Sequence, residues 1–333
     1  FRFALTAFAA MGRDVRISDR RIQGYRFFIN KIWNAGRYVL GSLEGYDPRS
    51  FEWNPEALGL AEKWILTRLT DAVEKTRSAL DDYRFNDAAE TLYHFTWHTF
   101  CDWYIELSKS TVATDKGDAT KWVLHHVLKT VLELLHPIVP YVTEEIWQCL
   151  PGRDADSIVV APYPKVSPQL RFSVEAGLMD TIVEVISGVR SIRGETGISP
   201  SVMLDVVVMT PDDSMRRLLG EHVAYITSLA RARSLTCIAD GSERPGKCAV
   251  AVCNGLEVYV PLEGVVDVAK ELERLAKQTA KVEKELAEKR RKLENPGFLE
   301  KARPEVVEEQ RRLAAELARE LESLKKAREM LAG

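Results

Sequence analysis

The sequence predicts a mainly α fold: a helical bundle, then a small mixed α/β unit, then an antiparallel two-helix coiled coil. Three observations predict it. Residues 1–150 carry apolar positions at helical spacing with almost no strand signal. Short β-branched runs of strand length appear only between Val202 and Leu262. From Val268 the apolar positions step alternately by four and three, which is a heptad seam. The expected domains are 1–165, 166–262 and 263–333.

In the bundle, helical periodicity covers 24–40, 57–81, 84–109, 118–135 and 143–150. Breakers separate these stretches: Gly45-Tyr46-Asp47-Pro48, Asp81-Asp82, Asp115-Lys116-Gly117-Asp118, and Pro137 with Pro140. Thr143 followed by Glu144 and Glu145 reads as a helix start, acidic where the dipole favours it. Tyr93, Phe95, Trp97, Phe100, Trp103 and Tyr104 are expected to fill the bundle core. Prolines at 151, 162, 164 and 168, with Gly152, mark a linker before a helix over about 174–193. The mixed unit should hold a strand at Val202–Met209, a helix at Pro211–Ala230, and strands at 234–239, 248–252 and 256–262.

The first seam of the coiled coil runs through Val268, Leu272, Leu275, Thr279, Val282, Leu286, Lys289 and Leu293. Asn295-Pro296-Gly297 stops that helix, and Pro304 suits the first turn of the next. The second seam runs through Val307, Ala314, Leu317, Leu321, Leu324 and Leu331. At ~1.5 Å per residue the first arm is roughly 40 Å long, so it reaches toward something or dimerises.

Among 333 residues, 46 are Lys or Arg and 49 Asp or Glu, a net charge of −3 that hides a segregation. Residues 1–40 carry eight basic groups against two acidic, and residues 270–333 carry 17 against 14, leaving an acidic middle. Basic ends suit a polyanion gripped at two places, or simply solvated helix faces. No run approaches ~18 uncharged apolar residues, which excludes a spanning helix. Five scattered cysteines point to a reducing, cytoplasmic setting and against a disulfide framework. The chain opens on FRFALTAFAAMGRD with no initiator Met and no signal-peptide pattern, as expected of a piece cut from a longer protein.

No GxSxG, CxxC, HExxH or nucleotide-binding glycine motif occurs, so no catalytic residue and no cofactor is assigned to this chain. His94, His98 and Cys101 share a helical face at metal-pair spacing, but no second ligand cluster accompanies them, and no metal is expected. The informative element is GYRFFINKIWNAGRYVL at 24–40. At about 100° per residue, Phe28, Ile32, Ala35, Val39, Tyr25, Gly36, Ile29, Leu40 and Trp33 fall on one arc, a core stripe. Arg26, Arg37, Asn30, Asn34, Phe27, Tyr38 and Lys31 fill the opposite arc. Amides and arginines read base edges, cations hold phosphates, and exposed rings stack unpaired bases. The alternative is that Phe27 and Tyr38 contact a neighbouring helix in a broad core.

Several segments carry a resemblance: GYRFFINKIWNAGRYVL, AEKWILTRL (61–69), YRFNDAAETLYHFTWHTFCDWYIELSK (83–109) and VLELLHPIVPYVTEEIWQ (131–148). Together they resemble the anticodon-binding helical domain of the valyl-tRNA synthetase family. VRSIRGETGISP (189–200) and ENPGFLEKARPEVVEEQ (294–310) fit the same family in order, so the likeness covers essentially the whole chain. The HPIVPYVTEEIW stretch alone says only a class I synthetase of the Val/Leu/Ile group; FCDWYIELSK and the terminal coiled coil point to valine.

The resemblance implies a bundle that binds the anticodon loop, with Arg20, Phe27, Lys31, Asn34, Arg37 and Tyr38 as candidate readers. It implies a hairpin arm that binds the tRNA body through Lys289, Arg290, Arg291, Lys292, Arg311 and Arg312. The family's catalytic domain, with its HIGH and KMSKS signatures, and its editing domain do not occur in the sequence. The resemblance places them upstream of Phe1, where ATP with Mg and valine bind to charge the tRNA and where mischarged tRNA is edited. The expected partner is a valine-accepting tRNA, bound by a monomer with no membrane. The alternatives are a leucyl- or isoleucyl-type C-terminal region, and a coiled-coil dimerisation or scaffold protein.

Overall fold

Apolar side chains at three- and four-residue spacing wind the first half of the chain into helices that bury one another's stripes. The computed structural model describes residues 1–8, 19–114, 117–242, 245–253, 255–263, 268–294 and 304–332. They fall into two units, Phe1–Asp180 and Thr181–Gly333. The chain is mostly helical, with one small four-stranded sheet among the described residues.

The first unit holds α1 (Arg2–Phe8), α2 (Asp19–Ser42), α3 (Leu60–Asp81), α4 (Phe85–His94), α5 (Ile105–Ser108), α6 (Gly117–Leu135) and α7 (Pro140–Cys149). A π-helical segment, Phe95–Tyr104, joins α4 to α5. On α2, Phe28, Ile32, Ala35 and Val39 are buried, as the wheel requires. Gly36 lets α2 approach α7: a Cβ there would lie 2.9 Å from Ile146 Cδ1. The start of α8 (Ser173–Glu195) is pinned to α3. There the Trp64 indole donates to Asp180 at 2.8 Å, Lys63 pairs with Glu175 at 3.1 Å, and Phe172 N–H donates to Thr67 at 2.8 Å.

Three expectations for the bundle need correction. The last helix of the bundle begins at Pro140, three residues before Thr143, because proline at the first position lacks the N–H that would go unpaired there. Thr143 is instead a buried side chain inside the first turn, donating to Val139 O. Trp33, placed on the core arc, is 42% exposed; it sits at the end of that arc, where the stripe gives out. Of the aromatic run, Phe95, Phe100 and Tyr104 are buried, while Tyr93, at the end of α4, is half-buried, and so are Trp97 and Trp103, which the π winding of Phe95–Tyr104 turns away from α-helical spacing. The Asp115-Lys116 part of one breaker lies outside the described residues.

The second unit begins within α8, where Ile182, Val185, Ile186 and Val189 are fully buried. Its other elements are β1 (Leu204–Met209), α9 (Asp213–Glu221), α10 (Val223–Ala230), β2 (Ala232–Ile238), β3 (Cys248–Cys253) and β4 (Leu256–Pro261). The strand order is β2-β1-β4-β3, with β1 and β2 parallel and the other pairs antiparallel. The parallel pair needs a crossover, which α9 and α10 supply. These are two helices rather than the one expected over 211–230. The Asp212 carboxylate caps α9 by accepting from Ser214 N and Met215 N, and His222 leaves helical geometry between them. Arg193, buried at the end of α8, donates to the carbonyls of Ser199, Val202, Ala230 and Arg231 and so ties the VRSIRGETGISP segment to the sheet.

The last two helices, α11 (Val268–Glu294) and α12 (Pro304–Ala332), pack on each other. Thr279, Val282 and Leu286 are buried between them, and Lys325 reaches Glu283 at 2.9 Å. The expected turn at Asn295-Pro296-Gly297 and the side chains of Val268, Leu272, Leu275 and Leu331 lie outside the described residues.

Candidate nucleic-acid interface

The outer face of α2 owes its position to the core stripe beneath it. Phe28 is buried against Phe3, Tyr93 and Trp97, with ring centroids 4.9, 4.8 and 6.2 Å away, which fixes the rotation of the helix. Phe27, one residue earlier, therefore turns outward and is 56% exposed. Asn30, Asn34, Arg26 and Arg37 are exposed beside it. This surface combines a ring for stacking, amides for base edges and guanidinium groups for phosphate. Arg20 lies in the first turn of α2, and its side chain falls outside the described residues.

Lys31 and Tyr38 sit differently. The Lys31 ammonium donates to Asp102 Oδ1 at 2.8 Å and lies 5.6 Å from the Trp97 ring centroid. Burial works against its charge, but the hydrogen bond and field of Asp102 more than offset this, so its pKa is raised. Lys31 is a held cation. Tyr38 is half-buried, its hydroxyl is enclosed without a hydrogen-bond partner, and Lys109 lies 5.8 Å from its ring centroid. Its ring is part wall and part surface, in contrast with the open Phe27.

The contacts give the register of α2 against the segment running from α4 through the π-helix to α5. Tyr25 meets Tyr93, Phe28 meets Trp97, Lys31 meets Asp102, and Tyr38 meets Lys109, so the two run in the same direction. His94 and His98 are exposed on the π side, with ring centroids 5.4 Å apart. Cys101 is buried, and burial pushes its thiol up to about 12, so it does not join the two imidazoles on their face. The contribution of the π segment to this surface was not readable from sequence, since Lys31 and Asp102 are 71 residues apart.

In the second unit, Lys289 donates to Gln310 at 3.0 Å, and Arg311 lies 3.8 Å from Glu308. Arg290, Arg291, Lys292, Arg311 and Arg312 are exposed, and so are Glu288, Glu294, Glu308 and Glu309. The basic run thus shares its surface with carboxylates.

Residues 62–208 match the family model described as the anticodon-binding domain of tRNA ligase, and residues 267–332 match that of the valyl tRNA synthetase tRNA binding arm. The valine–tRNA ligase of Geobacter sulfurreducens is 45% identical over 338 residues, covering 99% of this chain and 38% of that protein. Those of Syntrophotalea carbinolica and Carboxydothermus hydrogenoformans are 44% and 39% identical, over 100% and 99% of this chain and 37% of each protein. The chain belongs to the valyl-tRNA synthetase family. It spans just over a third of the length of these valyl-tRNA synthetase relatives and corresponds to their tRNA-recognition portion. The outer face of α2 precedes the first matched span, so its assignment rests on geometry.

Proposed function

We propose that the chain recognises a valine-accepting tRNA at two places, on behalf of an enzyme that joins valine to that tRNA with ATP and Mg and edits mischarged product. The bundle, over residues 1–165, takes the anticodon loop on the outer face of α2. Phe27 stacks an unpaired base, Asn34 offers its amide to a base edge, and Arg20 and Arg37 hold phosphates. Lys31, fixed by Asp102, presents a positioned charge, and Tyr38 supplies a supporting ring at the far end. The unit over 166–262 carries the arm, and the arm, over 263–333, is an antiparallel coiled coil that touches the tRNA body through Lys289, Arg290, Arg291, Lys292, Arg311 and Arg312. The protein works as a cytoplasmic monomer; among the described residues no helix is long and apolar enough to cross a membrane.

The observation that carries this reading is the exposed ring-amide-guanidinium face of α2 in a chain matched by both a tRNA-ligase anticodon-binding model and a tRNA-arm model. Competition binding of purified tRNA species tests it. Valine-accepting tRNA should displace a labelled probe at lower concentration than other tRNAs, and binding should weaken steeply with salt as counterions are released. Equal competition by unrelated tRNAs would leave only a basic surface.

A further inference from the structure

We infer that His94 and His98, on the segment packed beside α2, form a second stacking platform for an unpaired base of the same RNA loop. This rests on the proposed reading of the α2 face and extends it to two histidines within the matched span 62–208 to which no role has been given above. The two imidazoles stand four residues apart with side chains 61% and 52% exposed and ring centroids 5.4 Å apart. Tyr93 supports both edge-on, its centroid 5.9 Å from each, and Trp97 backs His98 at 6.3 Å. Glu90 lies 3.8 Å from His94 on the outer side.

The platform is continuous with the α2 face. Asp102 lies one step further along the His94–His98 row; it accepts from Lys31 at 2.8 Å and lies 3.4 Å from the ring of His98. The Lys31–Asp102 pair therefore joins the two rows into one surface, with Phe27 on one side and the imidazoles on the other. π-Helical segments are rare and occur mostly at functional sites, and this one, Phe95–Tyr104, starts directly after His94 and carries His98. An anticodon loop carries unpaired bases on both sides of its triplet. A base that flanks the triplet has no code to deliver, so a sequence-tolerant stack is the contact that suits it.

The experiment titrates a labelled valine anticodon stem-loop with the full chain, the double variant His94→Ala/His98→Ala, the double variant His94→Phe/His98→Phe, and Phe27→Ala. The platform predicts about tenfold weaker binding for the alanine pair and binding within about twofold of wild type for the phenylalanine pair, since the contact is a stack. It also predicts that the alanine pair loses its effect on a loop made abasic at one flanking position. If the alanine pair bound as tightly as wild type while Phe27→Ala weakened binding, the platform would be wrong and the α2 reading would stand. Equal weakening by the alanine and phenylalanine pairs would likewise overturn stacking. No binding of the valine loop by the wild-type chain would overturn the α2 reading itself, and the platform with it.

Discussion

The bundle face and the two long terminal helices hold their candidate contacts in different ways. On α2, the exposed Phe27 is adjacent to a fully buried Phe28 locked among three other rings, and Lys31 is held by Asp102. In the α11–α12 pair Thr279, Val282 and Leu286 are buried among the described side chains, and the basic run from Lys289 to Lys292 stands among carboxylates. A base edge must be met within a few tenths of an ångström, so its reader needs a rigid support. Phosphate attraction tolerates loose side chains and is sequence-independent. The contrast predicts a bundle that discriminates and an arm that adds affinity.

The largest effect should come from cutting that support. Phe28→Ala should destabilise the first unit by about 3–5 kcal/mol, whereas Phe27→Ala should leave thermal unfolding nearly unchanged. Comparable destabilisation by both would place Phe27 in the core and erase the distinction between the two faces of the helix.

Acid should act on the bundle next. His126 lies against Trp122, with ring centroids 5.0 Å apart and planes at 3°, and desolvation lowers its pKa to about 4, with Lys129 and His125 adding to the shift. Unfolded, it would take a proton near 6.5, so the unfolded state binds more protons between those values. Stability should therefore fall as pH drops from about 6.5 to 4, by at most about 3 kcal/mol from this residue. Denaturant melts of wild type and His126→Phe across that range should show a fall with acid in wild type that the variant lacks; parallel curves would remove His126 as the cause.

The stem-loop contact of Phe27 ranks third. Its alanine variant should weaken anticodon stem-loop binding by ~1–3 kcal/mol with no change in fold. Unaltered binding in titration would confine recognition to amides and cations. Replacing Arg290, Arg291 and Lys292 together with Gln should flatten the salt dependence of whole-tRNA binding, the slope falling by roughly 0.7–0.9 for each phosphate these cations neutralise. An unchanged slope would show that Glu288 and Glu294 already neutralise this end. Smallest of all, Thr279→Val should stabilise the helix pair by about 1 kcal/mol, because the buried Thr279 hydroxyl has no hydrogen-bond partner. A lower melting temperature for this variant would show that the hydroxyl is satisfied in solution.

The core stripe of α2 was legible in the sequence because Phe28, Ile32, Ala35 and Val39 obey a 100° step and depend on nothing distant. Trp33 was not, since at the border of the stripe the neighbouring helices decide burial. The roles of Lys31 and Tyr38 were only half legible: both lie on the outward arc, but Asp102, in the π segment, and Lys109, just after α5, reach them from far along the chain. Strand existence could be read from β-branched runs, whereas the order β2-β1-β4-β3 depends on non-local pairing that no local pattern encodes. Pro140 outranked Thr143 as a helix start because it constrains the backbone directly.

The most direct test of the division between reading and holding is a crossed titration. The isolated valine anticodon stem-loop and whole valine-accepting tRNA are each titrated against wild type, Phe27→Ala, and the Arg290/Arg291/Lys292→Gln variant. The account predicts that Phe27→Ala weakens both ligands, while the arm variant weakens whole tRNA and leaves the stem-loop bound as before. Weakening of stem-loop binding in the arm variant, to the same degree as whole tRNA, would contradict it.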